Sequence, residues 1–126
     1  MVRNIGILVM VMVLFASVLA FAAPVKPMYI PVSCDLWPEH QFVSSGDNQK
    51  VFEGNWFGGA TSTYFISMDY GDGNKEEYYE KHNLSWIYAH FYNTAGKPDG
   101  YKWYPRLTVT NGNTDRDDVI VEVMVW

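Results

Sequence analysis

The chain has 126 residues, 48% of them hydrophobic and 17% aromatic, with 9 Lys+Arg against 14 Asp+Glu and one Cys. A net charge of −5 without any basic run suits nucleic-acid phosphates poorly, and so heavy an aromatic load excludes a disordered chain. The length suits one domain, large enough for a core that needs no disulfide or metal staple.

Met1-Val2-Arg3 supplies a positive start, and Ile5 to Phe21 is apolar apart from Gly6 and Ser17. Ala20 and Ala22 then flank Phe21, the small-residue pattern for a cut after Ala22. Together these predict a signal-peptide helix over residues 1–22 and a secreted or extracytoplasmic domain. The alternative is retention as an anchor, because residues 4–25 carry no charge and are long enough to span a bilayer. Membrane contact is expected only in that case.

Residues 23–46 read as an N-terminal lead, marked by Pro24, Pro27, Pro31 and Pro38, with short strand pieces at Tyr29-Ile30 and Cys34 to Trp37. Cys34 has no partner for an internal disulfide. That leaves a small buried thiol, the favoured reading, an intermolecular bridge or a reactive thiol, and His40 stands at no catalytic spacing from it. Ser44 to Asn48 is a turn cluster. Tyr64 to Tyr70 alternates, with Tyr64, Ile66, Met68 and Tyr70 on one face, and Gly71-Asp72-Gly73-Asn74 stops it. Lys75 to Lys81 is the only helix candidate, charged and too short to stand alone. Leu84 to Tyr92 is a strand-like run with aromatics on both faces. Tyr101 to Thr110 is another, interrupted by Pro105, which calls for an edge or bulge. After the polar turn Asn111 to Asp115, Val119, Val121, Val123 and Val125 share one face of a last strand. Short strands with regular turns predict an all-β, immunoglobulin-like antiparallel sandwich.

Two segments in order resemble the PKD (polycystic kidney disease) domain family. The first is Met68-Asp69-Tyr70-Gly71-Asp72-Gly73, where the family has Trp-Asp-Phe-Gly-Asp-Gly. The second is His90-Phe91-Tyr92, then Gly96 and Leu107-Thr108-Val109-Thr110-Asn111. The similarity spans residues 47–126. It departs at Met68, which replaces Trp, and at Lys97 to Gly100, which lengthen the turn before the Leu107 strand. The resemblance makes Asp69, Gly71, Asp72, Gly73, His90, Tyr92 and Asn111 fold-motif residues. It implies a module without catalysis of its own, contacting protein or polysaccharide outside the cell.

The aromatics supply the candidate binding residues. If Ile87, Ala89 and Phe91 face inward, then Trp86, Tyr88, His90 and Tyr92 form an outer row, joined by Trp103 and Tyr104 nearby. Such a row could stack on sugars or anchor a protein. The competing expectation is that the row faces the core. Asn111, Asn113, Asp115, Asp117 and Glu122 imitate calcium-loop spacing, but Arg116 stands where a sharp-turn Gly is needed. No His pair has zinc spacing and no Gly-x-Ser-x-Gly elbow occurs, so no metal, cofactor or enzymatic activity is expected. The expected role is a non-catalytic PKD-like module. Its alternatives are a carbohydrate-binding module using exposed aromatics and a structural subunit of an envelope or surface assembly.

Overall fold

A computed structural model describes residues 30–81 and 84–126. The expected signal segment 1–22 and the start of the lead lie outside the described residues. Among the described residues ten strands follow in order: β1 (Ser33–Trp37), β2 (His40–Val43), β3 (Gln49–Phe57), β4 (Tyr64–Asp69), β5 (Lys75–Glu80), β6 (Leu84–Phe91), β7 (Lys102–Trp103), β8 (Arg106–Asn111), β9 (Asp115–Ile120) and β10 (Glu122–Val125). They form three sheets, ordered β1-β3-β6, β5-β4-β8-β9 and β2-β10-β7. The architecture is all-β and sandwich-like. Inner residues of the first two sheets, including Phe52, Trp56 and Tyr88 against Ile66, Met68, Leu107 and Val109, join one buried cluster.

Alternation explains the layering. In β4, Tyr64, Ile66 and Met68 are buried while Phe65 and Ser67 are only partly so, as period-2 side chains require. Met68 is fully buried, with Trp56 in the same cluster. Gly54 faces inward on β3, where an added Cβ would lie 2.9 Å from Tyr88 Cε2 and 3.1 Å from Leu107 Cδ2. Its missing side chain is the space that the Tyr88 ring occupies.

Three expectations about elements change. Lys75 to Lys81 is not a helix: it supplies β5, paired antiparallel with β4 from Asp69↔Lys75 to Tyr64↔Glu80. The Gly71–Asn74 turn sends the chain straight back, and sheet bonds satisfy a backbone too short to form a stable helix. The run before Thr110 divides at Pro105 into β7 and β8, whose partners differ. The last strand also divides. β9 pairs with β8, whereas β10 pairs antiparallel with β7 and parallel with β2. Val121 marks the switch, donating its N–H to the Pro105 carbonyl at 2.9 Å. The inward valine row persists through it, with Val121, Val123 and Val125 buried.

Residues 33–43 of the expected lead are part of the fold. β1 pairs with β3, and after the cis Trp37–Pro38 bond β2 pairs with β10. The fold therefore starts ahead of the boundary at residue 47 that the motifs suggest.

Candidate functional site

The two motif segments meet at one cluster. Asp69 Oδ1 accepts from Gly71 N at 2.9 Å, and Asp72 Oδ1 accepts from Asn74 N at 3.1 Å, which fixes the turn. Asp72 Oδ2 accepts from His90 Nε2 at 2.6 Å. The Tyr70 ring stacks on the His90 imidazole at 4.0 Å and 5°, and the Tyr92 hydroxyl donates to the Tyr70 carbonyl at 2.9 Å. Gly71 has φ 82, and a Cβ there would stand 2.9 Å from Tyr104 N, so neither the turn nor its close approach tolerates a side chain. Desolvation pushes the Asp72 carboxyl up, but hydrogen bonds from His90 and the Asn74 backbone outweigh it and hold the group below the usual carboxylate range. Among the described residues the Tyr70 hydroxyl is buried without a hydrogen-bond partner. Burial first, then the Glu76 charge, pushes its pKa above the ordinary phenol value.

Asn111, buried at the end of β8, ties down the 58–63 loop. Its Oδ1 accepts from Thr61 N at 3.0 Å, and its Nδ2 donates to the carbonyls of Thr61 and Thr63 at 2.9 and 3.2 Å. Asp115 Oδ2 and Asp117 Oδ2, further along the calcium-like spacing, accept from Val32 N and Cys34 N at 3.0 and 2.9 Å. These side chains bind β9 to the strand beside it. Cys34 is half-buried, and desolvation first, then Asp117, pushes its thiol up to about 12. At neutral pH it is a protonated thiol, not a nucleophile.

Of the two expectations for the aromatic row, the inward one holds for all but Trp86 and Tyr104. Tyr88, Tyr92 and Trp103 lie in the core, so they offer no surface. The face of β6 that carries Ile87, Ala89 and Phe91 is the outer one. Of the five candidates only Trp86 (47%) and Tyr104 (56%) are exposed. They do not come together on one element: Trp86 leans towards Tyr78 on β5, with centroids 6.3 Å apart, while Tyr104 links β7 to β8.

What sequence reasoning missed is the outer face of the β1-β3-β6 sheet. Register places Gln49 beside Phe91, Val51 beside Ala89, and Trp37, Glu53 and Ile87 in one row. Trp37 (64%), Val51 (48%), Ile87 (59%) and Phe91 (64%) are exposed there. Glu53 at their centre accepts from the Ser85 hydroxyl at 2.6 Å. The next row, Asp35, Asn55 and Ser85, is polar, and Phe57 lies beyond it opposite Ser33. Large exposed apolar side chains gathered around one carboxylate, with that carboxylate held by Ser85, make a candidate interaction surface. The parity of β6 was the signal that could have found it.

A second feature is a cleft of ≈ 350 Å³ lined by Asp35, Leu36, Glu39, His40, Tyr104, Val119, Ile120, Val121 and Glu122. Glu122 is 3.9 Å from His40 Nδ1 and 3.4 Å from Lys102 Nζ. Carboxylates beside an exposed phenol ring could accept bonds from hydroxyl or ammonium groups. Among the described residues no group of His, Cys, Asp and Glu is arranged to hold a metal ion. No protein-family model matches the chain, and no curated protein matches it.

Proposed function

We propose that this chain is an extracytoplasmic, non-catalytic, PKD-like module that binds protein through the outer face of its β1-β3-β6 sheet. The PKD-like reading draws support from the Asp72–His90 bond and the Tyr92–Tyr70 bond, which join the two motif segments. The immunoglobulin-like reading draws support from the β1/β2 and β9/β10 sheet switches around a β4–β8 centre. Export rests on residues 1–22.

The observation that carries the function is the placement of Trp37, Val51, Ile87 and Phe91 on one sheet face. Large exposed apolar side chains gathered on one face find their use in a partner. The test is binding of the labelled protein to the surface of cells that export it. Trp37→Ser should weaken binding about tenfold, as loss of a hot-spot anchor does, and protease treatment of the surface should abolish it. Unchanged binding by Trp37→Ser excludes this face. The cleft favours a second reading, polysaccharide held against Tyr104. In that case glycosidase treatment and Tyr104→Ala, rather than protease and Trp37→Ser, would remove binding.

A further inference from the structure

The sheet edges are protected unequally. β5 carries Lys75, Glu76, Glu77 and Glu80 within its six residues. β1 has its Cys34 N–H bonded to the Asp117 carboxylate of β9, and the Val32 N–H just ahead of it bonded to Asp115. β2 and β7 are only four and two residues long. Charge, capping and brevity are the usual defences of an edge. Among the described residues β6 has none of them: it is eight residues long, lies at the edge of its sheet, and contains no Lys, Arg, Asp or Glu.

Which backbone groups face outward follows from the ladder. Tyr92 N donates to Asn48 O, continuing the register of β6 with β3. Alternation then turns the N–H and C=O of Ser85, Ile87, Ala89 and Phe91 away from β3. Among the described residues these eight groups have no backbone partner. The Gln41 side chain reaching the Val51 carbonyl fits the same phase, since odd residues of β3 must point away from β6.

We propose that β6 pairs antiparallel with β6 of a second copy of this chain, centred on Tyr88. The register that uses all eight groups sets Ser85 opposite the partner's Phe91 and Ile87 opposite the partner's Ala89. The outward side chains run small, large, small, large, so reversal places every large one against a small one. Self-complementarity of this kind is what a two-fold interface requires. β6 itself brings no Lys, Arg, Asp or Glu to the seam, so the pairing strands add no charge repulsion of their own on a molecule of net charge −5. A two-fold axis normal to the sheet keeps both outer faces on the same side. The product is one six-stranded sheet presenting two copies of the Trp37 patch, and so a bivalent surface. This inference stands on the backbone of β6 and goes beyond the protein-binding reading.

The test uses the full chain as the cell exports it, with Cys34→Ser as background. Sedimentation over about 1 μM to 1 mM should show a monomer–dimer equilibrium. Ala89→Lys, a change at an exposed position, should shift it to monomer without altering thermal unfolding. Ile87→Cys and Ala89→Cys fix the register: directly opposed residues stand about 5.5 Å apart, within disulfide reach, whereas diagonal ones at about 7–8 Å do not. An oxidised mixture of the two variants should give a cross-linked heterodimer, and neither variant alone should cross-link. Overturning results are a monomer throughout, as coverage of β6 by residues 1–29 would give; a dimer that survives Ala89→Lys; or self-linking of either single variant. The Trp37 test is read at concentrations below dimerisation, where avidity is absent, so the failure of either proposal is seen separately.

Discussion

The hydrogen bond between Asp72 and His90 is where the two motif segments become one structure. Because Asp72 is held below the ordinary carboxylate value, its contribution is fully present above the unfolded pKa of about 3.9 and is lost as pH falls through the lower folded value. Asp72→Asn should therefore remove part of the acid-limb dependence below about pH 4. It should also cost about 1.5–3 kcal/mol at neutral pH, the usual worth of a hydrogen bond to a charged group. Urea unfolding of both proteins at pH 7 and pH 3 measures both effects. Cys34 makes the opposite kind of prediction. With its thiol at about 12, alkylation of the folded protein at pH 8 should be at least about tenfold slower than of the unfolded chain. Equal rates would mean a thiol less shielded than its place beside Asp117 implies.

At the level of elements, β6 and its neighbour β3 decide which face is which. Gly54 admits the Tyr88 ring, so Gly54→Ala should force an overpacked contact costing about 1–3 kcal/mol, read as a lower midpoint in denaturant. The sequence of β6 alone left this open: both of its faces carry aromatics, and periodicity cannot choose between two apolar faces. The choice was made across the sheet, by a glycine thirty-odd residues earlier. The β5 segment was obscured for a related reason. Its charges read as a solvated helix, while the turn that made it a hairpin partner of β4 lay in the four residues before it. By contrast, β4 and β8 were plain, since each carries one continuous apolar face and ends in turn residues.

For the whole molecule, strand content and the valine row of the C-terminal half were legible, and so was the role of Pro105 as an interruption. The sheet switches were not. Pairing of β2 with β10 joins residues 40–43 to residues 122–125, and no local pattern encodes which distant strand an edge will choose. The motif residues were also legible, but as structure: Asp72, His90, Tyr92 and Asn111 spend their polar groups on the fold. Binding capacity is left to residues outside the motifs, on the outer sheet face and in the Tyr104 cleft. Binding carried by the apolar side chains of the sheet face should depend little on salt, whereas a cationic ligand at Glu39 and Glu122 should be lost as salt rises.

The central claim is that the outer sheet face, and not the cleft, carries recognition. The direct measurement is a comparison of binding constants for Trp37→Ser and Tyr104→Ala on the same exporting-cell surface, with thermal unfolding checked for each. The account predicts about a tenfold loss for Trp37→Ser and near wild-type binding for Tyr104→Ala. Retained binding by Trp37→Ser together with loss in Tyr104→Ala would contradict it.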